Sequence, residues 1–167
     1  DYVSRMAEGQ EYIYYAAADD AAQAGKLPQS ERVLAKGYEI LCTASSEDEL
    51  LLQILGEQDG KKFKSVNDDD ALPQSDEEKQ AAEKQAEDAK ALLDFVKETL
   101  GDKVHAVRTS RKLVSHPVCM TTEGPVTLEM EKYFKQQSQL SGMEVGAGMT
   151  AQRVLELNPA SPAFAAL

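Results

Sequence analysis

Cysteine and histidine are scarce in this chain, two of each, and tryptophan is absent. Cys42 and Cys119 stand far apart with no CxxC, so their spacing builds neither a disulfide framework nor a zinc site. They read as reduced, buried thiols, and they place the expected compartment in the cytoplasm. His105 and His116 have no acidic neighbour at a fixed local spacing, and no HExxH surrounds them. No apolar run approaches the roughly 20 residues that a membrane helix needs. GxSxG, GxxxxGKS/T and a strand-linked GxGxxG are all missing, and the Gly-Ala-Gly at 146–148 reads as a loop. The Asp run at 68–70 lacks the alternate ligand spacing of a calcium loop. Carboxylate pairs such as Asp19 and Asp20 are too common in so acidic a chain to nominate a general acid or base. The expectation is a chain without catalytic, metal-binding or cofactor-binding residues.

What is present describes a globular fold. The 167 residues are 42% hydrophobic and 28% charged, a balance that can bury roughly 70% of the unfolded surface. The net charge of −11 is unevenly spread: residues 1–100 hold 11 basic against 23 acidic residues, and residues 101–167 hold 7 against 6. A phosphate backbone is repelled by such a surface, which argues against nucleic acid as a partner.

Residues 12–17 are aromatic and apolar and read as a buried strand, with further strands at 38–43 and 63–66. A helix over 28–36, stopped by Gly37, and a second over 47–55, boxed by Ser46 and Glu49, fill the gaps. Strand, helix, strand, helix, strand with short joins predicts right-handed crossovers and a small parallel sheet flanked by helices. At 67–78 clustered acids and Pro73 mark an exposed linker. Ser75 and Glu78 then form a capping box for one long helix over 76–100, whose apolar stripe runs Ala82, Ala86, Ala89, Leu93, Val96, Leu100. Beyond it, strands are expected at 103–110 and 117–122, paired as neighbours. A helix opened by Gly124 and Pro125 runs to about Leu140, a mobile Gly-rich stretch covers 141–150, a strand 153–157, and the start of a helix 162–167.

One cluster lies outside this plan. Met130, Tyr133, Phe134, Leu140, Met143 and Met149 fall on or just after a single amphipathic helix. Methionine is flexible and polarizable, and a surface built from it adapts to many apolar partners. For Tyr133 and Phe134 taken alone a place in the core is the favoured reading, whereas Met143 and Met149 sit in a Gly-rich stretch with little core to join.

Several stretches resemble the heat-shock protein 90 family of chaperones, bacterial members included: DYVSRMAEGQ at 1–10, IYY at 13–15, KGYEIL at 36–41, DGKKFKSV at 59–66, VRTSRKLVSHPV at 107–118 and LELNP at 155–159. They follow the family's order and spacing across the whole chain. Three positions depart: Ala7 replaces a usual Lys, Gln58 a usual aromatic, and no Trp stands beside the client helix. The resemblance implies an α/β fold followed by α+β. Residues 1–72 would be a small three-layer α/β/α subdomain with a parallel sheet, the last of the middle domain. Residues 73–101 would be an acidic linker and connecting helix, and 102–167 a truncated C-terminal domain lacking its final dimerisation helices. It implies that the chain is a piece of a longer polypeptide, in keeping with a start that has no initiator Met. ATP and Mg would then be bound upstream of Asp1 and not here. It implies contact with unfolded or partly folded clients through Met130, Tyr133, Phe134, Leu140, Met143 and Met149. It also implies a homodimeric parent and a monomeric piece. The alternative is a free-standing α/β ligand-binding or enzymatic domain. That reading requires a deep crevice with a perturbed titratable group at the carboxyl ends of strands 12–17 and 38–43. A structural spacer would show neither crevice nor apolar strip.

Overall fold

The computed structural model describes residues 2–146 and 148–167, with the side chain of Ser46 outside the described residues. In chain order the first elements are β1 (Ile13–Ala17), α1 (Ala21–Ala24), α2 (Glu31–Ala35), β2 (Ile40–Thr43), α3 (Ser46–Leu55), β3 (Glu57–Gln58) and β4 (Lys61–Ser65). They form a four-stranded sheet in the order β2-β1-β4-β3. β1 runs parallel to both β2 and β4, as the alternating strand and helix pattern requires. Every residue of β1 is buried, the signature of a strand covered on both faces. Tyr14, fully buried, stacks on Tyr38 with ring centroids 5.8 Å apart, over a core that includes Ala16, Ala24, Val33 and Val66.

The sheet is mixed rather than purely parallel, because β3 pairs antiparallel with β4. Asp59 and Gly60 both take positive φ, 52° and 74°, which gives the tight hairpin turn its twist. The helix expected over 28–36 opens as a 3-10 turn, Pro28–Ser30, before α2, and Gly37 at φ 77° ends it. The cap of α3 is Ser45, whose hydroxyl accepts from Asp48 N at 3.1 Å. Glu49 points away from that helix end and takes a hydroxyl from Thr127, so the expected capping box is not formed. Nor is 67–78 a free linker. Ala71 is 5% exposed inside the first core, while Asp70 pairs with Lys64 at 2.7 Å and Asp69 with Lys112 at 2.9 Å.

The connector is α4 (Asp76–Asp88) and α5 (Lys90–Leu100), two helices where one was expected. The Ser75 and Glu78 capping box is present. The break is a bend at Ala89, across which the hydrogen bonds to Gln85 O and from Leu93 N persist. Burial differs on its two sides. α4 has no buried residue, whereas Ala89 and Leu93 pack with Leu157 on the second sheet.

That sheet comprises β5 (Ala106–Thr109), β6 (Val118–Glu123) and β7 (Gln152–Leu157), with α6 (Leu128–Ser141) and α7 (Pro162–Ala165). The order is β5-β7-β6, so β5 and β6 are not neighbours as expected: β7 lies between them, parallel to β5 and antiparallel to β6. Burial accounts for the choice. The last strand carries Val154, Glu156 and Leu157, all at least 94% buried, and the centre of a sheet is where such a strand is covered. α6 begins at Leu128 and not at Pro125, because the Thr127 hydroxyl accepts from Met130 N at 3.1 Å and supplies the cap. Cys119 is 6% exposed and burial pushes its thiol up to about 12, whereas Cys42 is only half-buried. Replacing the fully buried Val154 by Ala should lower unfolding stability by about 2 kcal/mol, read as a shift in the urea midpoint by circular dichroism.

Candidate functional site

Two kinds of surface stand out, a polar joint between the two sheets and apolar faces at their periphery. The joint centres on Glu31, the first residue of α2. Its carboxylate accepts from Val114 N at 2.7 Å, Ser115 N at 3.0 Å and His116 N at 3.3 Å, and from the Ser115 hydroxyl, with His116 Nδ1 2.7 Å from Oε1. Burial pushes the Glu31 carboxyl up, but the hydrogen bonds from Ser115, Val114 and His116 outweigh it and hold it at about 2. The turn is braced from its other side by Asn158, whose amide donates to Val114 O at 3.2 Å and His116 O at 2.9 Å. Beside Glu31, Gln29 Nε2 donates to Met120 O at 2.8 Å and Arg32 to Arg111 O at 2.7 Å. His116 thus has its acidic partner 85 residues away, a pairing that no local spacing could show.

A second polar centre sits under β7. Glu156, 2% exposed, accepts from Lys112 Nζ at 2.7 Å, Ser110 Oγ at 2.8 Å and Thr121 Oγ1 at 2.8 Å. Lys112 also reaches Asp69, and Arg108 joins Asp69 at 2.9 Å, so the segment after β4 is bound to the second sheet. With both carboxylate oxygens hydrogen-bonded, a buried charge pair of this kind fixes geometry more than it adds stability.

Between the sheets lies a cleft of about 350 Å³, walled by Ala17, Asn67, Gln29, Glu49, Thr121 and Lys132 among others. It opens at the carboxyl ends of β1 and β4, one strand over from the crevice that the ligand-binding alternative requires. Glu49 is 1% exposed there and burial pushes its carboxyl up; the Thr127 hydroxyl at 2.8 Å and Glu129 are its nearest influences from α6. The hydroxyl and carboxylate that touch on its wall, Thr127 and Glu49, are tied into the start of α6, where the same hydroxyl accepts from Met130 N at 3.1 Å. Among the described residues no group of three His, Cys, Asp or Glu is placed to hold a metal.

The apolar candidates divide. Leu140 is 73% exposed, Met143 70% and Met149 51%, so these three side chains stand open to solvent. Met130 is 7% exposed and is corrected from a surface residue to a packing one, since the first turn of α6 faces the body of the fold. Tyr133 and Phe134 are half-buried, with centroids 5.8 Å apart. Phe134 is roofed by Gly146: a Cβ there would stand 2.8 Å from the ring, so only glycine lets the loop lie so close. Ser138 Oγ accepts from Val145 N at 2.9 Å and donates to Phe134 O at 2.9 Å. The stretch after α6, read from sequence as mobile, is therefore folded back on the helix, with Ala147 outside the described residues.

Two further apolar surfaces were not singled out from sequence. On α3, which packs against α6, Leu51, Ile54 and Leu55 are 52%, 74% and 55% exposed. Their spacing is that of a helical stripe and looks the same whether the stripe is covered or open. A groove of about 470 Å³ lined by Phe95, Val96, Leu100, Val118, Leu155 and Phe164 runs between α5, the second sheet and α7. It needs the sheet order, which sequence reasoning had wrong. No helix among the described residues is long and apolar enough to cross a membrane.

Glu31 yields a pH dependence. Its folded value lies below the ordinary 4.5, so the stability it supplies is present above about pH 4.5 and is lost as pH falls towards about 2. Urea midpoints across this acid range should fall, Glu31→Gln should flatten that fall, and at neutral pH the same variant should cost about 2 kcal/mol.

Comparison with known proteins places these features in context. The family model described as "Hsp90 protein" matches residues 1–167. Proteins named "Chaperone protein HtpG" are similar along the whole chain: that of Bacillus velezensis is 44% identical over 167 residues, that of Clostridium perfringens 42% and that of Bacillus subtilis 41%. The chain spans about a quarter of the length of these relatives, 26%, 25% and 26% respectively. A family-model match over residues 1–167, with relatives more than 40% identical along the whole chain, shows that this chain belongs to the Hsp90 family of chaperones.

Proposed function

We propose that this chain is the portion of an ATP-driven chaperone that contacts unfolded or partly folded clients and holds two domains in register. In this reading residues 1–72 end the middle domain, 73–101 connect, and 102–167 begin the C-terminal domain. The exposure of Leu140, Met143 and Met149 at the end of α6 carries the client assignment, because large apolar side chains at more than half exposure gain most from covering by an apolar partner. Leu51, Ile54 and Leu55 on the neighbouring α3 extend the surface onto the first unit. ATP and Mg belong to the whole protein and to residues outside this portion. The whole protein is a cytoplasmic homodimer, and this portion alone is a monomer.

Replacing Leu140, Met143 and Met149 together by Ser should weaken binding of a permanently unfolded protein at least about tenfold, as expected for losing the burial of about one large side chain. Fluorescence anisotropy with a labelled unfolded chain reads it, and unchanged affinity overturns the assignment. Sedimentation velocity at low micromolar concentration should give a single monomeric boundary; a tight dimer there overturns that part of the reading.

A further inference from the structure

A cleft of about 310 Å³ opens where α2, the segment leading into α4, and the turn after β5 meet. Three cations line it, Arg32 and Lys36 from α2 and Arg111 from the turn, against a single carboxylate, Glu78. That carboxylate is already engaged in the cap of α4, accepting from Ser75 N at 3.0 Å. The three cations are exposed, and among the described residues none has a carboxylate within ion-pairing distance. In a chain of net charge −11 such a concentration of unpaired positive charge is the exception. Both guanidiniums are also oriented: Arg32 donates to Arg111 O at 2.7 Å and Arg111 to Gln74 Oε1 at 3.3 Å, which leaves further N–H groups of each planar fork unused. The opposite wall is apolar, formed by Leu72, Pro73, Ala81 and Ala82.

We propose that this cleft binds a short acidic segment of another polypeptide, a carboxylate between Arg32 and Arg111 and a neighbouring apolar side chain against Leu72 and Ala82. The planar guanidinium fork matches a carboxylate bidentately, and the apolar wall favours an acid carried on a peptide over a bare anion. A segment seated there touches the first unit, the connector and the second unit at once, and it fastens their relative orientation alongside Glu31. The site is separate from the exposed end of α6 and does not rest on the client assignment.

The test is fluorescence anisotropy of the 167-residue chain with a short labelled peptide of alternating leucine and glutamate. The controls are the same peptide with glutamine in place of glutamate, and inorganic phosphate as competitor. The acidic peptide should bind at least about tenfold more tightly than its glutamine counterpart, and Arg111→Gln should remove about tenfold of that affinity, the expected loss for a charge-assisted hydrogen-bond pair. Lys36→Gln, which disturbs no contact of the fold, should weaken it in the same direction with an unchanged melting temperature. Equal binding of the glutamine peptide, or an Arg111→Gln variant that binds as the parent does, overturns the proposal. So does full competition by phosphate at the same concentration as peptide, which would mark a bare anion site. Loss of acidic-peptide binding in the Leu140, Met143, Met149 to Ser variant also overturns it, by placing the peptide on the α6 surface instead.

Discussion

The most concentrated contact between the two sheets gathers on one carboxylate. Glu31 presents its oxygens to three consecutive backbone N–H groups and two side chains of the turn at 114–116. A turn of that shape concentrates positive backbone dipole in a small concavity, and an anion placed in it is held by direction as well as by charge. Asn158 makes the arrangement possible, since it ties the carbonyls of the same turn to the end of β7 and leaves the N–H groups facing α2. The LELNP segment therefore does more than end a strand. Its Asn sets the shape of a turn some 40 residues earlier in the chain, and that turn receives the first unit.

Around this contact further polar links cross the interface. Gln29, Arg32, Thr127 and Lys132 each reach across by hydrogen bond or ion pair. Directional contacts of this sort define one geometry sharply and release it at modest cost once a few are broken, unlike an extended apolar interface. The buried Glu156 and Lys112 pair plays the corresponding role inside the second unit, where Asp69 brings in the acidic segment as a partner. Part of the acidity that looked like solubility in the sequence is thus structural.

The sequence was legible where local chemistry decides. β1, with its run of aromatic and small apolar residues, the Ser75 and Glu78 box, and the last helix from Pro162 all follow from neighbouring residues. The Asp-Gly at 59–60 marked a hairpin that was not drawn. What was not legible depends on partners far along the chain. Strand order in the second sheet, the burial of Met130, and Glu31 as acceptor for a turn 83 to 85 residues away are set by tertiary contacts. The exposed stripe on α3 has the same periodicity as a buried one, and only packing tells them apart. The Gly-rich stretch after α6 reads as loose by composition, yet Gly146 is what lets it close over Phe134.

The bend at Ala89 joins two helices of different character, one seated on the second sheet and one with no buried residue. Because hydrogen bonding runs on through the bend, the orientation of α4 is coupled to the seat of α5, and α4 also touches β5. Its 13 residues extend about 20 Å, so a swing of about ten degrees at Ala89 carries the far tip roughly 3 Å. That tip is Ser75, next to the acidic segment that Lys112 and Arg108 hold, so the packing of Leu93 at one end and the Asp69 ion pairs at the other together set the line of the connector.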